Sequence, residues 1–91
     1  MQLSAADKPK FGKGVRLRRQ TDGSSMLLVP EGALALNASA AATLELVDGV
    51  HSVADIAARL TELFDVEERD AREDVCRLLE RLAERRLVET S

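Results

Sequence analysis

Residues 26–37 read Met26-Leu27-Leu28-Val29-Pro30-Glu31-Gly32-Ala33-Leu34-Ala35-Leu36-Asn37, and how they are read decides the fold. Met26 to Val29 is an apolar run too short to be a helix on its own. Pro30 has a fixed φ and no amide hydrogen, which suits the end of a strand. Gly32 offers the positive φ that tight turns often demand. Ala33 to Leu36 resumes an extended apolar segment, with Leu34 and Leu36 on one face and Ala33 and Ala35 on the other. A face of methyl groups lets another backbone come close. Asn37 is a strong helix N-cap. The stretch therefore reads strand, turn, strand, helix start. A strand of this kind at the edge of its sheet has unpaired N–H and C=O groups that can receive an extended peptide.

Toward the N-terminus, Val15 to Arg19 alternates, with Val15 and Leu17 inward and Arg16 and Arg18 outward, as in a half-buried strand. Gln20 to Ser25 contains Asp22-Gly23 and reads as a hairpin turn. Strands over 15–19, 26–29 and 33–36 make a small antiparallel meander, whose third strand lies at an edge if pairing is sequential. Residues 1–12 are polar, with Lys, Pro and Gly, and read as a flexible N-terminal arm. Residues 13–91 form a single domain.

Toward the C-terminus, Ala38 to Val47 is alanine-rich and helical in propensity, with Ala40, Leu44 and Val47 on one face. Gly49 is expected to close that helix as a left-handed C-cap. Ser52 and Asp55 have the spacing of a capping box. Val53, Ile56, Ala57, Leu60, Leu63 and Phe64 then follow helical spacing. A last helix is expected over 68–86, with Ala71, Val75, Leu78, Leu79 and Leu82 as its buried stripe and a Glu73–Arg77 pair on its surface. Leu87-Val88 adds a short strand or packs down. The expected class is α+β, a winged-helix-like β-β-β-α-α-α chain with a three-stranded antiparallel meander followed by three helices.

The 91 residues suffice for one modest core, and with two Phe and no Tyr or Trp that core must be aliphatic. The single cysteine, Cys76, excludes an internal disulfide and fits a reducing, cytoplasmic location. No apolar run approaches membrane-spanning length, and residues 1–11 lack a signal-peptide core. The net charge of −3 is unevenly spread. Residues 1–20 carry six basic side chains against Asp7 alone, a balance of +5, while the rest carry seven basic and fifteen acidic ones, a balance of −8. A basic head on an acidic body attracts acidic partners to one end, unless it is simply a solvated face.

Catalytic machinery is not evident. His51 follows a glycine and reads as a loop residue. Cys76 lies beside an apolar stripe and reads as a small half-buried side chain rather than a nucleophile. One Cys and one His do not make a structural zinc site. Gly12-Lys13-Gly14 is not a phosphate loop, since the Gly-Lys-Ser/Thr that should follow is absent. The expectation is a non-enzyme with no cofactor and no metal. Helix-turn-helix folds invite duplex DNA, but residues 68–86 carry six basic and six acidic side chains, which cancel. A DNA-binding or protein–protein adaptor domain is the alternative to a peptide-binding module. The expected state is a monomer, with strand exchange into a dimer as the competing one.

The chain resembles a known family, that of the pyrroloquinoline quinone (PQQ) biosynthesis protein D, PqqD. The resemblance rests on Val15-Arg16-Leu17-Arg18, Leu28-Val29-Pro30-Glu31-Gly32, Leu36-Asn37-Ala38-Ser39-Ala40-Ala41, Leu46-Val47-Asp48-Gly49 and Ser52-Val53-Ala54-Asp55-Ile56-Ala57, running on to Leu60 and Phe64. It covers about residues 14–89. It implies a peptide chaperone, similar to the recognition domains that serve ribosomally made, modified peptides. Such a chaperone binds the precursor peptide of PQQ and presents it to a radical S-adenosylmethionine (radical SAM) enzyme, which links a Glu and a Tyr of that peptide. In this family the peptide joins the third strand, in the cleft against the last helix. Carried onto this chain, that implies peptide contacts at Ala33, Leu34, Ala35 and Leu36. Helical spacing adds Arg72, Cys76 and Leu79 on the last helix.

Overall fold

The short segments between Gly and Pro punctuation become strands because each turn is chemically specified. In the computed structural model, which describes residues 3–90, Gly23 takes φ +91° and the Asp22 carboxylate accepts from the Ser24 amide at 3.0 Å. This turn joins β2 (Arg16–Arg19) to β3 (Ser25–Val29). Pro30-Glu31 then returns the chain into β4 (Gly32–Leu36). The sheet order is β2-β3-β4, antiparallel throughout, so β4 is an edge. Leu17, Leu27 and Leu34 stand in one cross-strand row on the inner face. Leu27 is fully buried there, while Leu17 and Leu34 are partly buried against the core.

Three helices cover that inner face and one another. The Asn37 side chain accepts from the Ala40 amide at 2.8 Å and starts α1 (Ala38–Leu44), which packs on β3 and β4. In α2 (Val53–Leu63), Ser52 and Asp55 form the expected reciprocal box, at 2.9 and 3.1 Å. Each cap contributes about 1 kcal/mol. Val53, Ile56, Ala57 and Leu60 are the buried positions of α2, at i, i+3, i+4 and i+7. In α3 (Glu68–Glu84), Ala71, Val75, Leu79 and Leu82 face the same core. Burying one large aliphatic side chain is worth roughly 1.5–3 kcal/mol, so this aliphatic cluster outweighs the caps. Glu68 and Asp70 in the first turn of α3 suit the positive end of its dipole. Its C-terminus closes with Arg86 at φ +60°, Arg86 donating to the Ala83 carbonyl and Leu87 to the Leu82 carbonyl, both at 2.9 Å.

The structure departs from the expected arm over residues 1–12. Among the described residues, Leu3 is buried and Pro9–Phe11 is a strand, β1, paired antiparallel with β5 (Val88–Thr90). Met1 and Gln2 lie outside the described residues. The physical reason lies in backbone donors. Val53 and Ala54 open α2, and their amides have no partner inside the helix. The carbonyls of Asp7 and Ala5 accept from them at 2.9 and 3.0 Å. The Leu3 amide donates to the Glu80 carboxylate at 3.2 Å. Residues 88–90 make the short strand that was one of two readings of the C-terminus.

Three smaller corrections follow. The helix expected to run to Val47 ends at Leu44, so Gly49 is not its cap. Gly49 does take φ +79°, but its amide donates to the Pro9 carbonyl at 2.8 Å and thereby joins the loop to β1. Leu63 is 47% exposed at the end of α2 rather than in the core. Arg77 pairs with Asp74 at 3.5 Å rather than with Glu73.

Candidate functional site

β4 is one of the two edges of the sheet, β2 being the other. β3 pairs with one side of it, and no described strand pairs with the other. Leu34 and Leu36 lean inward against the core, and Ala33 and Ala35 are exposed on the outer face. The edge strand runs directly into Asn37, and there a groove of about 430 Å³ opens. Its walls come from the start of α1 (Asn37, Ser39, Ala40, Thr43), the end of α2 with the residues after it (Leu60, Phe64, Val66) and one flank of α3 (Ala71, Asp74, Leu78).

The chemistry of this groove follows from which polar groups are already engaged. Asn37 Oδ1 accepts from the Ala40 amide and from the Ser39 hydroxyl, and Thr43 Oγ1 donates to the Ser39 carbonyl at 2.9 Å. What remains is an apolar trough with the Asp74 carboxylate among its walls. Such a site accepts apolar side chains rather than a charged small molecule, and it begins at Asn37, the residue that follows β4.

The residues expected from sequence are divided by the structure. Ala33, Leu34, Ala35 and Leu36 form the edge as anticipated. Arg72 and Cys76 do not share the groove. They line a separate open hollow of about 500 Å³ with Glu68, Arg69 and Glu73, where Arg72 pairs with Glu68 at 2.6 Å. Leu79 is fully buried in the core, and this corrects its assignment as a peptide contact. The reason is helical rotation. Successive residues turn by about 100°. Around the buried stripe of Val75 and Leu79, this places Asp74 and Leu78 on one flank and Arg72 and Cys76 on the other. The flank facing Asn37 and Ala40 is that of Leu78. Asn37, Ala40, Phe64 and Leu78 were legible as caps and core positions, but nothing in their spacing marked them as a shared wall.

The other chemically conspicuous residues are structural. Asp48 accepts from the amides of Val50 and His51, at 2.9 and 3.0 Å, and its second oxygen lies 2.7 Å from His51 Nδ1. Those backbone hydrogen bonds hold the Asp48 carboxyl down at about 2. Burial, with Glu80 adding to it, pushes the Cys76 thiol up, the opposite of an activated nucleophile. Among the described residues, no group of three His, Cys, Asp or Glu is placed to hold a metal. No helix among them is long and apolar enough to cross a membrane.

Comparison with known proteins gives the same picture at the level of family and fold. A family profile described as coenzyme PQQ synthesis protein D (PqqD) matches residues 25–88. The PqqA binding protein of Rhizobium meliloti strain 1021 is 34% identical over 88 residues, covering 96% of this chain and 90% of that protein. The bifunctional coenzyme PQQ synthesis protein C/D of Methylorubrum extorquens is 36% identical over 88 residues. The match takes in 96% of this chain but spans only 24% of that longer protein. Among solved structures, one similar to this chain is the solution structure of the PqqD truncation of Methylobacterium extorquens PqqCD. That truncation represents a functional, stand-alone recognition element for ribosomally synthesised and post-translationally modified peptides. Its TM-score is 0.79 at 35% identity, covering 96% of this chain and 94% of that one. A second is lasso peptide synthetase B1 complexed with the leader peptide, with a TM-score of 0.76 at 27% identity, covering 90% and 98%.

Proposed function

The chain belongs to the family of coenzyme PQQ synthesis protein D, and we propose that it binds the PqqA precursor peptide by adding it as a strand to the free edge of β4. The observation that carries this reading is the edge itself, which leads without a break into an apolar groove between α1 and α3. Strand addition takes its affinity from main-chain hydrogen bonds and its specificity from alternate side chains. Here the alternate side chains that point inward meet Leu34 and Leu36, and further along the trough they meet Ala40, Phe64 and Leu78. The names of the relatives and the leader peptide bound to lasso peptide synthetase B1 support the same reading.

The module is non-catalytic. His51 is committed to the loop clip with Asp48, and the Cys76 thiol is raised rather than activated. Chemistry is left to a radical SAM enzyme, to which the domain presents the peptide in the cytoplasm. Holding the peptide raises its effective concentration at that enzyme and removes part of the ordering cost. The domain acts as a monomer.

The test is a titration of ¹⁵N-labelled protein with the PqqA peptide of the Rhizobium meliloti system. Saturable amide shifts concentrated at residues 33–37 and along the Asp74–Leu78 flank of α3 are expected. Shifts absent there, or concentrated elsewhere, would falsify strand addition at β4.

A further inference from the structure

The two faces of the sheet are not equally accounted for. Register places Arg16, Leu28 and Ala33 in one cross-strand row, and Arg18, Met26 and Ala35 in the next. Both rows lie on the outer face, since Leu27 and Leu34 between them point to the core. Met26 and Leu28 are half-buried, yet they are not among the residues packed against the core. Ala33 and Ala35 rise only one methyl above β4. On the far side, Arg16 and Arg18 are exposed, and neither makes an ion pair among the described residues, unlike Arg19, which pairs with Glu45. The outer face therefore carries a shallow apolar notch, open over the alanines toward the free edge and bounded by two guanidinium groups.

A strand added to β4 alternates its side chains between the two faces. Those facing inward meet the groove already described. Those facing outward stand beside Ala33 and Ala35, two residues apart in the peptide. The backbone of such a strand lies about 10 Å from β3, two strand spacings of roughly 4.8 Å. A long apolar or aromatic side chain leaning over an alanine methyl spans that gap and meets Met26 or Leu28. A short or branched neighbour in place of the alanines would block it.

We infer that the outer face is a second specificity row, which selects peptides carrying large apolar side chains at two alternate positions, seated over Ala33 and Ala35 against Leu28 and Met26. The inference rests on strand addition at β4. It commits to the bound peptide itself as occupant of this face, because the notch is continuous with the edge the peptide uses. Arg16 and Arg18 close the far side, where they favour a ring face or a carboxylate on the same peptide.

The protein has two methionines, Met1 and Met26, so methyl-¹³C-methionine labelling yields two signals, and that of Met26, assigned with a Met26→Leu variant, reports on this face. With the Rhizobium meliloti PqqA peptide as probe, the Met26 methyl signal should shift and saturate together with the amides of residues 33–36. It should also show nuclear Overhauser contacts to a peptide side chain. Met26→Ala should raise Kd about 3- to 10-fold, the loss of a partly buried apolar contact. Ala35→Glu, which puts a carboxylate into the notch on an exposed position, should weaken binding to a similar extent. Suppose instead that the amides of 33–36 saturate while the Met26 methyl stays still and both variants bind as tightly as the parent. Then the outward row is wrong and strand addition survives. If the amides themselves do not move, strand addition fails and this inference goes with it.

Discussion

The Gly12 amide donates to the Leu87 carbonyl at 2.8 Å, closing the ribbon in which β1 pairs with β5. The approach is close because Gly12 has no side chain. A Cβ built there would meet the Arg86 carbonyl oxygen at 2.5 Å. Both partners are backbone, so neither can swing aside. Gly12→Ala should therefore cost about 1–3 kcal/mol of stability, the usual range for forced overpacking. Urea denaturation checks this through a lower midpoint at unchanged slope. An unchanged midpoint would mean that the ribbon relaxes freely and that Gly12 does not set its spacing.

Ala35 lies on the unpaired edge, opposite Met26 of β3. Proline at this position removes an N–H, fixes φ near −65° and puts ring atoms on the backbone nitrogen. An edge strand tolerates that better than a central one. A folded Ala35→Pro variant, verified by its amide spectrum, should bind the PqqA peptide at least about tenfold more weakly, since several main-chain hydrogen bonds are lost together. Equal affinity in such a folded variant would sink edge-strand binding.

What was legible in the sequence divides along a physical line. The strands at 16–19, 25–29 and 32–36 fell within about a residue of their expected bounds, because Asp22-Gly23 and Pro30-Glu31-Gly32 punctuate them chemically. The second and third helices announced themselves by stripes and, for α2, by the Ser52–Asp55 box. The docking of residues 3–12 did not. Leu3 and Pro9 are isolated apolar residues with no period, and their partners are backbone amides or a carboxylate as far as 77 positions away. Backbone donors leave no trace in side-chain pattern. Likewise, periodicity marks Val75 and Leu79 as buried but does not say which flank of the helix lines the groove with Asn37 and Ala40. Spacing alone therefore puts Arg72 and Cys76 beside the edge strand, whereas the structure sets them in a different hollow from Asp74 and Leu78.

The two flanks of α3 make opposite predictions. Leu78 lies in the groove with Ala40 and Phe64, whereas Arg72 lies in the other hollow, paired with Glu68. Leu78→Ala removes apolar area from the groove and should weaken peptide binding by roughly 1 kcal/mol, about fivefold. Arg72→Ala should leave affinity within about twofold, because an exposed ion pair is worth little. Titration calorimetry on both variants separates the cases. A large loss for Arg72→Ala with none for Leu78→Ala would move the site to the opposite flank.

The loop that follows α1 supplies a pH-dependent contribution of known sign. The Asp48 carboxyl is held at about 2 against an ordinary 3.8, first by the His51 amide and then by the Val50 amide. A carboxyl with a depressed folded pKa stabilises the fold above its unfolded pKa. That contribution fades as the pH falls from about 4 toward 2. The loop matters to the ribbon because Gly49, the next residue, donates to the Pro9 carbonyl of β1. Asp48→Asn keeps an oxygen acceptor but loses the charge. The stability gap between parent and variant should be widest near pH 6 and should shrink steadily between pH 4 and pH 2, read as urea midpoints. Asp22 and Asp55 are lowered in the same direction by their own hydrogen bonds, so the variant keeps part of the parent's acid sensitivity. A gap that stays constant across this range would show that the Asp48 charge is not what the two amides recognise.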